Sequence, residues 1–301
     1  MDIHALRLLF AERDSISILE TVDVFTGIRT TLKEFNYVIE APNWTRDGKH
    51  LVYNSRGRIY AFELATGTCR EIDTGFAIDC NNDHVLSPDD TRIAISHFTN
   101  EDATSRIYIV PFGGGAPGLV TPKGPSYLHG WSPDGERLAY CAARNGQYDI
   151  YSISVFGGAE MQLTNLPGLD DGPDYSPDGA YIWFNSNRTG LMQIWRMKAD
   201  GTEQTHMVKE DANCWFPHVS HDGNWVAYIA YRKDDVAPGD HPPDKQVELR
   251  LVPAAGGESK TIAKLLGGQG TINVNSWSPD SRTIAFVSYR EKENTPKNQR
   301  E

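Results

Sequence analysis

Hydrophobic and polar positions recur along this chain in blocks. Six short segments are rich in β-branched and aromatic residues: HLVYNS (50–55), RIAISH (92–97), RLAYCA (137–142), YIWFNS (181–186), WVAYIA (225–230) and TIAFVS (283–288). Bounded by Gly, Pro, Asp and Ser, such segments predict β-strands. One kind of turn introduces each of them: WTRDG (44–48), LSPDD (86–90), WSPDG (131–135), YSPDG (175–179), VSHDG (219–223) and WSPDS (277–281). The turn aspartates Asp47, Asp89, Asp134, Asp178, Asp222 and Asp280 follow at intervals of 42, 45, 44, 44 and 58 residues. In five repeats a third apolar segment follows (RIYAFEL, SRIYIVPF, YDIYSIS, MQIWRMK, VELRLVP), then a glycine turn and a shorter fourth strand. A period of about 40–45 residues with four short strands is the pattern of a β-propeller blade.

The sixth repeat has its first two strands and then ends in EKENTPKNQRE. Its missing half matches SISILETV (15–22), the turn DVFTG and IRTTLKEF (28–35). The expectation is therefore an all-β, six-bladed β-propeller of four-stranded antiparallel blades. The N-terminal strands should pair with the C-terminal half-blade and close the ring without leaving free edges. Residues 1–14 form a lead-in, 15–290 a single propeller domain with blade 6 shared by 15–35 and 275–290, and 291–301 a polar tail. Asp134, which alone would pass for a catalytic carboxylate, has five counterparts and is explained as a turn residue bonding local amides.

Composition narrows the function. With 40 acidic against 29 basic residues the formal charge is −11, which argues against nucleic acid as a partner. No apolar run is long enough for a membrane span, and membrane insertion is not expected. No secretory signal is recognisable, so a cytoplasmic location is expected, or a periplasmic one if a signal has been removed. Cys69, Cys80, Cys141 and Cys214 show no CxxC spacing and indicate neither zinc nor redox chemistry.

The repeated SPDG turn, the strand ending S-x-R and the downstream IY strand with its glycine turn resemble the TolB-like six-bladed propellers. The resemblance covers about residues 15–290, and HPPDKQVELRLV (241–252) and GGQGTINVNSWSPDS (267–281) resemble single-domain bacterial members. The family resemblance implies a protein-binding adaptor role of the kind TolB has in the periplasmic Tol–Pal system. The α/β domain that precedes the TolB propeller has no counterpart in these residues. Similar propellers accompany peptidases, but no G-x-S-x-G elbow is present. Oligogalacturonate lyases use a related propeller with a His/Gln metal site, and no motif here permits a residue-by-residue transfer from them.

The SPDG turns crowd one face, so the variable loops lie on the other, where binding residues concentrate. Positions just before each innermost strand should converge on the mouth of the central channel, here called the funnel. They supply Glu40, His84, Tyr127, His129, Asp171, Trp215, His218, Asn273 and Asn275 as candidate ligand-binding residues. Tyr127 and Trp215 could offer stacking faces. If a divalent metal binds, His84, His129 and His218 are the ligands to consider; no cofactor is specified by any motif. The competing reading is that such histidines simply bond backbone or water. Arg144, Arg188, Arg232 and Arg290 share one repeat position and could hold a carboxylate ligand, or bridge blades. RKDDVAPGDHPPDKQ, about a dozen residues beyond the other blades, predicts a long funnel loop whose His241 either reaches the channel or anchors the loop. The glycines of GGQGT (267–271) allow a sharp turn into the channel. Two functions follow. The first is a non-catalytic module binding a protein, peptide or small polar ligand at the funnel. The alternative is a carbohydrate-active lyase or hydrolase on acidic oligosaccharides using funnel histidines, with or without a metal.

Overall fold

Six antiparallel sheets make up the computed structural model, which describes residues 15–292. Five are four-stranded and run from the innermost strand outward in chain order; their first strands are Glu40–Trp44, Cys80–Leu86, Ser126–Trp131, Asp170–Tyr175 and Ala212–Val219 (blades 1 to 5). In blade 6, Thr283–Glu291 pairs with Ser15–Asp23 in an unbroken antiparallel register from Ser15↔Glu291 to Asp23↔Thr283. Arg29–Phe35 forms the outer edge. The ring is closed by hydrogen bonds between the two ends of the described chain, as the repeat predicts. The structure is a six-bladed β-propeller, and the expected lead-in 1–14 and most of the polar tail lie outside the described residues.

The SPDG turn has the same chemistry in every blade. In blade 3, Ser132 Oγ donates to Asp134 Oδ1 (2.6 Å), which also accepts from the Glu136 amide (3.0 Å), while the Arg137 amide donates to Ser132 Oγ (2.8 Å). Thr45–Asp47, Ser87–Asp89, Ser176–Asp178, Ser220–Asp222 and Ser278–Asp280 repeat the hydroxyl–carboxylate bond. These hydrogen bonds hold the Asp134 carboxyl below the usual carboxylate range. The six aspartates build turns.

Alternating apolar residues fill the seams between neighbouring blades: Val85, Ala94, Leu128, Leu138 and Tyr140 share one cluster, and Trp183, Val219, Val226 and Tyr228 another. In blades 1 to 5 each innermost strand carries a bulge at its funnel end, as between Asp171 and Asp174 or Trp215 and His218. Ala41, Gly172 and Phe216 occupy the same repeat position there, all with left-handed φ of 56°, 61° and 55°. A bulge re-aims side chains and ends regular pairing, so what each funnel residue faces is decided locally.

Blade 6 departs from its sisters. Its innermost strand is reduced to a single bridge, Trp277↔Ile284. The preceding segment leaves the sheet through a short 3₁₀ turn, Gln269–Thr271, and runs through the middle of the ring. The Asn275 side chain accepts from the Trp277 amide (3.2 Å), which takes that donor from the sheet.

Candidate functional site

That segment closes the channel. His218 Nε2 of blade 5 bonds the Ile272 carbonyl (2.7 Å), and His129 of blade 3 approaches the Asn273 carbonyl through Nδ1 (3.4 Å). Asn273 Nδ2 donates to Asp83 Oδ1 of blade 2 (2.6 Å), and Asn275 Nδ2 to Asp174 Oδ2 of blade 4 (2.9 Å). Asn43 Nδ2 of blade 1 donates to the Asn275 carbonyl (2.6 Å). Residues 272–275 thus bond to all five other blades. Thr271, Ile272, Asn273 and Val274 are fully buried. The sharp turn expected of GGQGT delivers a plug.

Above the plug lies a buried cluster of charge. His129 faces the Asp171 carboxylate through Nε2 (3.1 Å to Oδ1) and a carbonyl through Nδ1, so both ring nitrogens meet acceptors and both carry protons in the best-bonded state. Burial, the largest single influence, opposes the charge, but the charge and hydrogen bond of Asp171 together with Asp83 and the Asn273 carbonyl outweigh it and raise His129 to about 9. Asp171 is correspondingly lowered: burial, the largest single influence, would raise it, and the His129 charge and hydrogen bond, His241 and the Gly172 amide together outweigh it. Its Oδ1 also accepts the Gly172 amide (2.7 Å). Asp83 goes the other way. Burial raises it despite His129 and the amide groups of Asn273 and Asn81.

His241 arrives from the blade 5 insert. Its ring stands edge-on to Trp215 (4.4 Å between centroids, 81°) and against Phe216 (5.4 Å), with Nε2 4.0 Å from Asp171 Oδ2. Phe216 stacks on His129 from the other side (5.7 Å, 20°). Glu40 lies over Gly270, where an added Cβ would come within 2.6 Å of its side chain. Tyr127 sits between Phe98 (6.2 Å) and Tyr148 (6.4 Å), an aromatic row across blades 2 and 3. Phe76, Ile78 and Leu166, in the connections into blades 2 and 4, add exposed apolar surface to this face.

The candidate residues therefore separate into two tiers. Asp171, His129, Asn273, His241, Glu40 and Tyr127 belong to the funnel and its floor. His84, His218 and Asn275 lie lower and tie strands together: His84 Nε2 faces the Val52 carbonyl (3.3 Å), and burial pushes its pKa down to about 4. Trp215 is completely buried beneath His241 and presents no free stacking face. Among the described residues no three His, Cys, Asp or Glu side chains form a group that could hold a metal ion. The arginine column divides too. Arg188 binds Asp170 (2.6 Å) and stacks on Trp195, and Arg144 binds Glu160 (2.5 Å) and the Pro125 carbonyl (2.8 Å). Both bridge scaffold; Arg290 pairs with Glu34, and Arg232 is exposed beside Asp235.

Residues 85–263 match the TolB beta propeller domain family. An uncharacterized protein of Agrobacterium fabrum is 47% identical over 274 residues, covering 91% of this chain and 92% of that protein. The chain belongs to the TolB β-propeller family. A solved structure from Agrobacterium tumefaciens described as a TolB superposes with a TM-score of 0.88 at 44% identity, covering 92% of this chain and 99% of that one. The Tol-Pal system protein TolB of Francisella tularensis is 28% identical over 257 residues; the match covers 82% of this chain but 56% of that protein, so the chain spans little more than half of its length. A manganese complex of oligogalacturonate lyase shares the fold alone (TM-score 0.53, 15% identity).

Proposed function

We propose that this TolB-type propeller is a non-catalytic binding module whose funnel face receives a protein or peptide. The observation that carries this reading is the Phe98–Tyr127–Tyr148 row beside exposed Phe76, Ile78 and Leu166, rimming a charged floor. Aromatic anchors around fixed polar groups are what a protein-binding surface needs. The floor charges are committed to scaffold partners, His129 to Asp171 and Asp83 to Asn273, which suits recognition better than proton transfer. The Francisella relative is named as a Tol-Pal system protein, which supports a protein partner and a periplasmic setting. No helix among the described residues is long and apolar enough to cross a membrane.

The test compares partner recovery by cross-linking in cell extract. Tyr127→Ala/Tyr148→Ala should lose a partner that wild type and the opposite-face control Phe156→Ala both retain. Equal recovery by all three proteins would sink the proposal. A second reading, a lyase or hydrolase on acidic oligosaccharides, has one observation in its favour. Asp83 and Asp171, in one charge cluster, are pushed in opposite directions, as acid and base partners often are. Depolymerisation of an acidic oligosaccharide panel, abolished in Asp171→Asn, would establish it, with metal content measured on the same sample.

A further inference from the structure

The blade 5 insert is partly exposed and held at a few points, among them Val236, which packs against the hydrophobic cluster that includes Trp215 and Phe216. It links Trp225–Arg232 to Lys245–Pro253. Asn213 Nδ2 donates to the Val236 carbonyl (3.2 Å) and Tyr231 OH to the Pro242 carbonyl (3.2 Å). The Pro242–Pro243 backbone packs against Gly268 at the entrance to the plug, where an added Cβ would meet the Pro242 carbonyl oxygen at 2.4 Å. Lys233, Asp234, Asp235, Ala237, Asp240 and Asp244 are exposed. One side chain of the insert, His241, enters the slot formed by Trp215 and Phe216. Its ring covers Trp215, which is 0% exposed, and stands 4.0 Å from Asp171 Oδ2, narrowing the approach to that carboxylate.

We propose that the insert is a strap across the funnel, that the uncharged His241 ring in the Trp215–Phe216 slot is its catch, and that protonation of this ring releases it. Release would uncover Asp171 and the aromatic slot to a ligand; that last consequence rests on the binding function proposed above, whereas the catch itself does not. The slot walls Trp215 and Phe216 carry no charge. The charged groups facing the ring are Asp171 from blade 4, His129 from blade 3 and Asp240 from the insert itself. Burial is the largest influence and disfavours a proton on His241. Asp171 attracts one, but it already neutralises the His129 imidazolium, which repels a second positive ring. The net effect lowers the pKa of His241 in the closed strap. A histidine in solvent titrates near ~6.5. Closure is therefore favoured in full above that value and weakens as pH falls below it toward the depressed pKa of the closed form. An imidazole that titrates in this window is the usual material of a pH-driven switch.

The test labels the protein with 5-fluorotryptophan and follows the Trp215 ¹⁹F resonance, assigned by Trp215→Phe, from pH 8 to pH 5.5. The readout is the D₂O isotope shift that marks solvent contact. In wild type it should be absent at pH 8 and appear below about pH 6.5. His241→Phe should stay closed throughout, and His241→Ala should show Trp215 exposed at both ends of the range. The other tryptophans must keep their shifts, which separates strap release from unfolding. A wild-type Trp215 that stays dry to pH 5.5, a His241→Phe variant that opens on acidification, or a His241→Ala variant that stays closed overturns the proposal. No ligand is needed, so failure of the strap and failure of the binding function are read separately.

Discussion

Replacing Asp171 with Asn removes the carboxylate that keeps His129 charged, and its size can be worked from the site. His129 rises from its ordinary 6.5 to about 9, with a side chain only 3% exposed, so solvent screening removes little of the effect. At about 1.4 kcal/mol per pH unit, that displacement corresponds to about 3 kcal/mol of folding stability. The sign follows from a raised pKa. The contribution is complete below about 6.5 and disappears as pH climbs through about 9. Equilibrium urea unfolding of wild type, His129→Gln and Asp171→Asn between pH 6 and pH 9.5 isolates it. Wild type should lose about 3 kcal/mol relative to His129→Gln across that range. Asp171→Asn should lose most of this pH dependence and be weaker at pH 6 by about 3–5 kcal/mol, the cost of a buried charge deprived of its partner. Selective ¹³C labelling of histidine gives the direct check, with His129 titrating near 9 in wild type. A midpoint at or below 6.5, or parallel pH profiles for wild type and His129→Gln, would refute the ion pair.

Three further outcomes are expected. Asn273→Asp places a second carboxyl against Asp83, so the variant should be strongly destabilised at pH 7 and recover on acidification, as followed by thermal melting. Arg188→Ala leaves Asp170, which is 0% exposed, without its cation, and should cost about 3–5 kcal/mol; Arg188→Lys should recover only part, because the bonds to Gln204 and Ser186 also need the planar guanidinium. Removing residues 1–35 deletes two strands of blade 6 and exposes the edge of Thr283–Glu291, so the truncated chain should aggregate, as seen by gel filtration.

Much of the fold was legible because it is written six times. The turn aspartates, the strand behind each and the half-blade at either end all recur, and recurrence separates scaffold from site without any coordinates. The floor was legible only in part. Asp171 and His129 were reachable from repeat position, whereas His241 lies in the insert, where the sequence left reaching the channel and anchoring the loop as alternatives. His84 and His218 occupy nearly the same repeat positions but bond the Val52 and Ile272 carbonyls. The bulge at the end of each innermost strand decides where such a side chain turns, and no periodic reading resolves it. Asp83 was missed although CNNDH (80–84) is an unusually polar run for an innermost strand, and that polarity was its signal. The turn of GGQGT into the channel was legible, but the plug's partners were not, because its bonds from Asn273 to Asp83 and from Asn275 to Asp174 span 190 and 101 residues.

The plug explains why a propeller closed without a covalent link can still present a fixed, charged floor. Ring closure alone joins blade 6 to itself, through Ser15–Asp23 and Thr283–Glu291. Residues 272–275 instead tie the centre of the ring to blades 1 to 5 through paired side chains and carbonyls. The bonds at Ile272 and Asn273 are buried and those at Asn275 partly so; breaking a buried one strands a polar group away from water and costs about 1–3 kcal/mol. Blades cannot splay at the funnel end without breaking several together. His129, Asp83 and Asp171 are thereby held by three blades and the plug, and a ligand would meet charges whose positions are already set. Such preorganisation spares binding the ordering cost that a flexible surface incurs. It also confines adjustment to the parts that the plug does not hold, and the long insert carrying His241 is such a part that reaches the floor. Rigidity at the centre follows from the departure of GGQGT from the repeat, and the freedom proposed for the strap from the separate insertion in blade 5.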